Sequence, residues 1–175
     1  MDDKPMIEQK LPLEMGRIAR RIEEYMIATL GQSPQINHVL VNEYQPGEGI
    51  MPHSDGPLYA PCVATITTGS GQVLRLVEQL PDRRKEHARV YLAPRALNIL
   101  FGQSYSQLLH EIEPLDQDHI DTTLANIGLL SPQLGNTTIE REKRVSFTFR
   151  QVKNSVKRPK FLKFWFVTFP KTWSL

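Results

Sequence analysis

The sequence predicts a mainly β protein, an antiparallel sandwich or barrel preceded by one amphipathic helix. Three observations carry this reading. Helical periodicity is confined to residues 11–30, and from residue 37 onward the pattern breaks into short β-rich runs. The connections between most of those runs are brief. No helical pattern alternates with them, as a parallel sheet would require.

In the helical stretch, Leu11, Met15, Ile18, Ile22, Met26 and Leu30 recur at steps of three and four, with Arg17, Arg21 and Glu24 between them. Pro12 marks the start and Gly31 the end. The strand-like runs follow in order: NHVLVNEY (37–44), CVATIT (62–67), QVLRLVE (72–78), ARVYLA (88–93), ALNILFG (96–102), QLLHEIE (107–113) and RVSFTFRQV (144–152). The first is ended by the turn signal QPGEG. Two segments read as loops: the charged PDRRKEH (81–87) and the long, polar 114–141. A connection of that second length is usually functional or disordered.

The chain of 175 residues is enough for one domain with a substantial core. A net charge of +2 is too small to argue for nucleic acid by itself. Cys62 is the sole cysteine, which excludes an internal disulfide and reads as a small buried hydrophobe. MDDKPMIEQK has no apolar leader, and no run is long enough to cross a bilayer. A soluble, monomeric protein of the cytoplasm and nucleus is expected. Residues 1–33 are expected as a helical segment, 34–152 as the main domain and 153–175 as an atypical basic and aromatic tail. That tail could stack on single-stranded nucleic acid, and Arg83, Arg84, Lys85 and Arg89 form a second basic stretch.

Candidate site residues emerge from strand parity. In RVSFTFR, Val145, Phe147 and Phe149 share one face, while Arg144, Ser146, Thr148 and Arg150 share the other. That polar face is either the solvated side of an edge strand or a pair of anchors for a small dianion. Asn42 and Tyr44 share a face in the first run, where His38 reads as a structural residue. His53 and Asp55 stand two apart after a cluster of turn formers, a spacing that is weak by itself. His110 alternates with Leu109 and Glu111 and is expected to face inward, where it needs a partner. His87 and His119 read as solvated.

Taken together, N-x-Y, H-x-D, a distant His and R-x5-R have a chemical logic. Two imidazoles and a carboxylate on one face of an octahedral iron(II) leave three positions open. A chelating 2-keto acid takes two of them and oxygen the third, while an arginine holds the acid's far carboxylate. The ordered set NHVLVNEYQPGEGIMPHSDGPLY, LLHEIE and RVSFTFRQV resembles the AlkB family of iron(II)/2-oxoglutarate-dependent dioxygenases, in particular the branch known as AlkB homologue six.

The resemblance covers about residues 34–152 and implies a double-stranded β-helix, a jelly-roll-like barrel. It implies His53, Asp55 and His110 as iron ligands, with 2-oxoglutarate held by Asn42, Tyr44, Arg144 and Arg150. Oxidative decarboxylation of 2-oxoglutarate would drive hydroxylation of a substrate carbon, and an N-methyl group so hydroxylated collapses to formaldehyde. An alkylated base, flipped or single-stranded, is the substrate class implied. Only 41 residues precede Asn42, so the outer strands and recognition lid are expected to be largely absent. Glu111 and Ser146 also depart from the family pattern. The alternative is a catalytically impaired β-helix that binds nucleic acid or protein, and an oxygenase acting on a protein side chain shares the same residues.

Overall fold

The computed structural model describes residues 6–157. The strands are β1 (Met6–Glu8), β2 (His38–Tyr44), β3 (Ile50–His53), β4 (Cys62–Gly69), β5 (Gln72–Gln79) and β6 (Arg84–Leu92). They continue as β7 (Leu97–Phe101), β8 (Leu108–Ile112), β9 (Gln117–Ile120), β10 (Thr137–Glu140), β11 (Arg144–Arg150) and β12 (Ser155–Lys157). The helices are α1 (Leu13–Leu30) and the single turn α2 (Gln103–Ser106).

Two four-stranded antiparallel sheets, β2-β11-β4-β7 and β3-β8-β5-β6, make up the body. Apart from the β5–β6 hairpin, chain order alternates between them, which is the double-stranded β-helix that the family resemblance implied. Both sheets contribute to the lining of one interior cavity, so they face each other. Leu74, Leu92, Leu100 and Ile112 line that cavity, and with Leu76 and Leu108 they form one aliphatic cluster.

Helix α1 covers the outer face of the first sheet. Ala19, Ile22 and Met26 pack on Cys62, Ala64 and Phe149, the inward stripe anticipated from the periodicity. Gly31 stops the helix with φ +62°, and the amide of Gln32 donates to Met26 O at 3.2 Å, a left-handed cap that a β-carbon would oppose. Cys62 is buried under this helix, and burial pushes its thiol up to about 11.

The segment 114–141 is not the open loop expected. β9 and β10 pair antiparallel, and two single 3-10 turns, Ile127–Leu129 and Pro132–Leu134, lie between them. Ile120 and Leu124 are buried against Val73 and Tyr91, with Ile127, Leu130, Leu134 and Ile139 around them. The segment thereby covers the outer face of the second sheet. Its apolar residues Ile120, Leu124, Ile127, Leu130 and Leu134 fall three or four apart, but Gly128, Pro132 and Gly135 interrupt any continuous helix, and the sheet beneath gathers them. Residues 81–87 also differ from expectation. β6 begins at Arg84 and pairs through Gln79↔Arg84, Glu78↔Lys85 and Val77↔Glu86. Its exposed charges belong to an edge strand rather than a loop.

A buried ion pair holds the cover segment in place. Arg141 donates to both carboxylate oxygens of Asp118, at 2.6 and 2.7 Å, and to Glu113 O at 2.6 Å. Both side chains are almost fully buried, at 1% and 3% exposure. At the other end of the chain β1 pairs parallel with β12. The aromatic and basic tail beyond residue 157, with Trp165 and Trp173, lies outside the described residues.

Asp118→Asn keeps the shape of the side chain but leaves Arg141 as a buried, uncompensated charge. Urea denaturation should show a loss of about 3–5 kcal/mol, as for other broken buried pairs. A loss below about 1 kcal/mol would mean that water reaches the pair.

Candidate active site

The mouth of the cavity is set by a close approach of two strands. A β-carbon at Gly49 would lie 2.2 Å from Ile112 O, so β3 passes against β8 more tightly than a side chain permits. Gly47, at φ +77°, makes the turn before it, and its amide donates to Leu115 O at 3.1 Å. Ile50 pairs with Ile112 and His53 with His110, so three steps along β3 match two along β8. This bulge falls between Ile50 and His53, a stretch that includes Pro52 with no amide to lose, and His53 beyond it lines the cavity.

The two imidazoles stand with ring centroids 4.2 Å apart, and His110 Nε2 lies 3.8 Å from Asp55 Oδ2. His53 Nδ1 is 2.8 Å from Met51 O. A carbonyl only accepts, so Nδ1 carries the proton and Nε2 keeps its lone pair. Burial, reinforced by His53 and opposed by Asp55, holds His110 well below the ordinary imidazole range. It is therefore a neutral donor at physiological pH.

The facing wall comes from β2 and β11, paired Tyr44↔Arg144, Asn42↔Ser146 and His38↔Arg150. β11 lies between β2 and β4. It is not an edge, and the solvated reading of its polar face is excluded. Arg144, Ser146, Thr148 and Arg150 are all buried. Arg144 donates to Thr67 Oγ1 at 3.1 Å, and its guanidinium lies 5.3 Å from the Tyr44 ring centre. Its Nε has no partner, and burial lowers its pKa, with Tyr44 opposing. Among the described residues no carboxylate pairs with it, which leaves a dehydrated cation suited to an incoming anion.

Arg150 lies over the Tyr59 ring at 4.7 Å, and its Nη2 rests against Asp55 Oδ1. That oxygen accepts no hydrogen bond and Arg150 Nε donates none, so the contact is an ion pair in which no N–H is aimed at the oxygen. Among the described residues no three His, Cys, Asp or Glu side chains are drawn up to coordinating distance. The donor set nevertheless fits a divalent ion of the iron type. It offers a buried carboxylate oxygen without a hydrogen bond, an imidazole nitrogen freed by its tautomer and a neutral second imidazole.

All seven residues singled out in the sequence, Asn42, Tyr44, His53, Asp55, His110, Arg144 and Arg150, line one cavity of about 60 Å³. His87 and His119 are exposed, as expected. His38 is less settled than a structural histidine should be, for its Nδ1 is buried without a partner and its ring is 5.6 Å from Tyr59. Three contributors escaped sequence reasoning. Thr67 belongs to an apolar-looking strand. Tyr59 follows the H-x-D turn with no pattern of its own. Tyr105 sits on the short α2, and its hydroxyl donates to Gly56 O at 3.2 Å. Burial and the nearby Asp55 raise its pKa.

A family model described as the 2OG-Fe(II) oxygenase superfamily matches residues 3–150. A Danio rerio protein described as "Probable RNA/DNA demethylase ALKBH6" is 37% identical over 169 residues, which cover 87% of this chain and 72% of that protein. The uncharacterized protein L905 of Acanthamoeba polyphaga mimivirus is 28% identical over 149 residues, 81% of this chain and 63% of its own length. Among solved structures, OsALKBH1 superposes with a TM-score of 0.54 at 17% identity, covering 81% of this chain and 64% of the other. That last likeness concerns the fold. The chain spans a little under two thirds of both L905 and the OsALKBH1 chain.

Thr67→Val removes the hydroxyl to which Arg144 Nη2 donates without changing the shape of the strand. Stability to urea should fall by about 1.5–3 kcal/mol, the range for a hydrogen bond to a charged group. An unchanged midpoint would place the Arg144 guanidinium elsewhere.

Proposed function

Because this chain belongs to the AlkB-type members of the 2OG-Fe(II) oxygenase superfamily, an iron(II)- and 2-oxoglutarate-dependent dioxygenase class, we propose that the cavity between its sheets is the catalytic centre for oxidising an alkylated nucleic-acid base. One observation carries the assignment. His53, Asp55 and His110 converge on the end of a buried cavity that also holds an arginine with no carboxylate partner among the described residues.

In this reading His53 Nε2, the Asp55 carboxylate and His110 hold the metal. Iron(II) bound there would activate dioxygen, one atom of which goes to succinate as 2-oxoglutarate loses carbon dioxide and the other to the hydroxylated substrate carbon. The remaining residues bind and orient. Arg144 takes the far carboxylate of 2-oxoglutarate as a charge-assisted pair, and burial strengthens that pair by excluding water. Asn42 and Tyr44, on the same face of β2, hydrogen-bond the co-substrate. Arg150, already against Asp55, lies at the metal end, where the chelating carboxylate would be. Tyr59 beneath its guanidinium fixes its direction. The base as substrate is supported by the zebrafish relative's description as a probable RNA/DNA demethylase. Such a base reaches the mouth flipped out or single-stranded.

Mixing iron(II) and 2-oxoglutarate with the protein without oxygen should give the weak visible charge-transfer band of a chelated keto acid. Asp55→Ala should abolish it, and a band that persists would refute the ligand assignment. Arg144→Met should raise the KM for 2-oxoglutarate by about tenfold or more, the value of one charged hydrogen bond or better. With methylated oligonucleotides and oxygen, formaldehyde should appear alongside succinate. Oligonucleotide binding without succinate would instead identify a binding module built on the same fold.

A further inference from the structure

Gln72 is completely buried, and both its amide nitrogen and its amide oxygen lack partners. Leaving two such groups unmet costs a few kcal/mol, so the position asks for an explanation. Its place in the fold supplies one. Gln72 opens β5 and shares a face with Leu74, two residues on, whose side chain lines the cavity. Across the sheet it registers with Leu92, which lines the cavity as well.

The chain reaches Gln72 directly from Arg144's neighbour. Arg144 is paired with Gly69, the last residue of β4. Gly69 takes φ +74°, and a β-carbon there would fall 2.3 Å from Lys143 O. The next amide, of Ser70, donates to Lys143 O at 3.0 Å, and Ser70 Oγ accepts from the amide of Glu142 at 3.0 Å. The turn is thus clamped onto the strand that carries Arg144. Three residues span at most ~10 Å, and facing sheets lie ~10 Å apart. Side chains as long as glutamine and arginine, starting from opposite sheets at that separation, can span the gap, although Gln72 itself stands just outside the lining of the cavity. Arg144 Nε, too, is buried without a partner. One orphan is a donor and the other carries both a donor and an acceptor.

We infer that Gln72 is a positioning residue for the closed end of the cavity: its amide, unpaired in this structure, is available through its oxygen to the Arg144 guanidinium and through its nitrogen to the far carboxylate of the co-substrate. The inference rests on the assignment of that end to 2-oxoglutarate. It adds a residue that does not touch the reacting atoms but sets how firmly the dicarboxylate is held.

The test uses the whole chain, manganese(II) in place of iron, and calorimetry of 2-oxoglutarate binding beside steady-state turnover. Gln72→Leu should keep or raise the thermal midpoint, because it removes buried unmet groups. It should nevertheless weaken 2-oxoglutarate binding, and raise its KM, about tenfold with kcat little changed. Gln72→Glu should place a carboxylate beside Arg144, raising the midpoint and displacing 2-oxoglutarate while manganese(II) binding is kept. Should Gln72→Leu fail to fold, Gln72→Asn withdraws the same amide by one methylene and should show the same loss of affinity. Unchanged affinity in these variants, beside a wild type that binds 2-oxoglutarate, overturns the role of Gln72 alone; the amide then serves only a buried water or the fold. A wild type that binds no 2-oxoglutarate overturns the reading of the site and this inference with it.

Discussion

A row of polar and charged side chains on the central strand β11 is turned into the interior, and the rest of the structure accommodates it. Two guanidinium groups and two hydroxyls would be expelled from an ordinary β core, because removing a charge from water is unfavourable unless it is paired. Here the opposite face of the same strand is what keeps the row inside. Phe149 is 1% exposed and locked under α1 with Met26 and Ile22, and Phe147 packs beside them. With period two along a strand, fixing the phenylalanines outward under the helix fixes the arginines inward. The helix is therefore part of the apparatus that buries the site.

The accommodation is deliberately incomplete. Among the described residues the buried side-chain atoms without partners belong to His38, Asp55, Gln72, Arg144 and Arg150. All five lie on β2, β5 and β11 or on the turn that follows β3. Elsewhere the buried polar groups are met, as the bidentate Arg141–Asp118 pair shows. Three of the five, Asp55, Arg144 and Arg150, line the cavity, so the fold satisfies its distant ion pair and leaves groups there for a ligand, giving up stability where binding is gained. The contact of Arg150 with Asp55 belongs to the same picture, an ion pair of two buried opposite charges within the cavity.

The cavity has two chemically distinct ends. Imidazoles and a carboxylate gather where β3 bulges against β8, a cluster of lone pairs. Arg144 sits where the β4–β5 turn grips β11, a buried cation. A ligand with two anionic ends and a chelating group matches that polarity in one orientation only. Orientation is thus set by electrostatics before any hydrogen bond is made.

Most of the site was legible in the sequence because its residues are local in pattern. N-x-Y, H-x-D and R-x5-R each fall within one strand or one turn, where parity alone tells which side chains share a face. The long helix and seven of the described strands, β2, β4 to β8 and β11, were legible for the same reason. What escaped were features whose partners lie far along the chain. The cover segment 114–141 has apolar residues set among turn formers, and they become a core only over Val73 and Tyr91. Tyr59, Thr67 and Tyr105 join the site through contacts with Arg150, Arg144 and Gly56 that no spacing encodes. The parity of β11 told which residues share a face, and sequence alone determined that much. Whether that face met water or a cavity was decided only when β2 and β4 closed on either side, because burial is a property of neighbours.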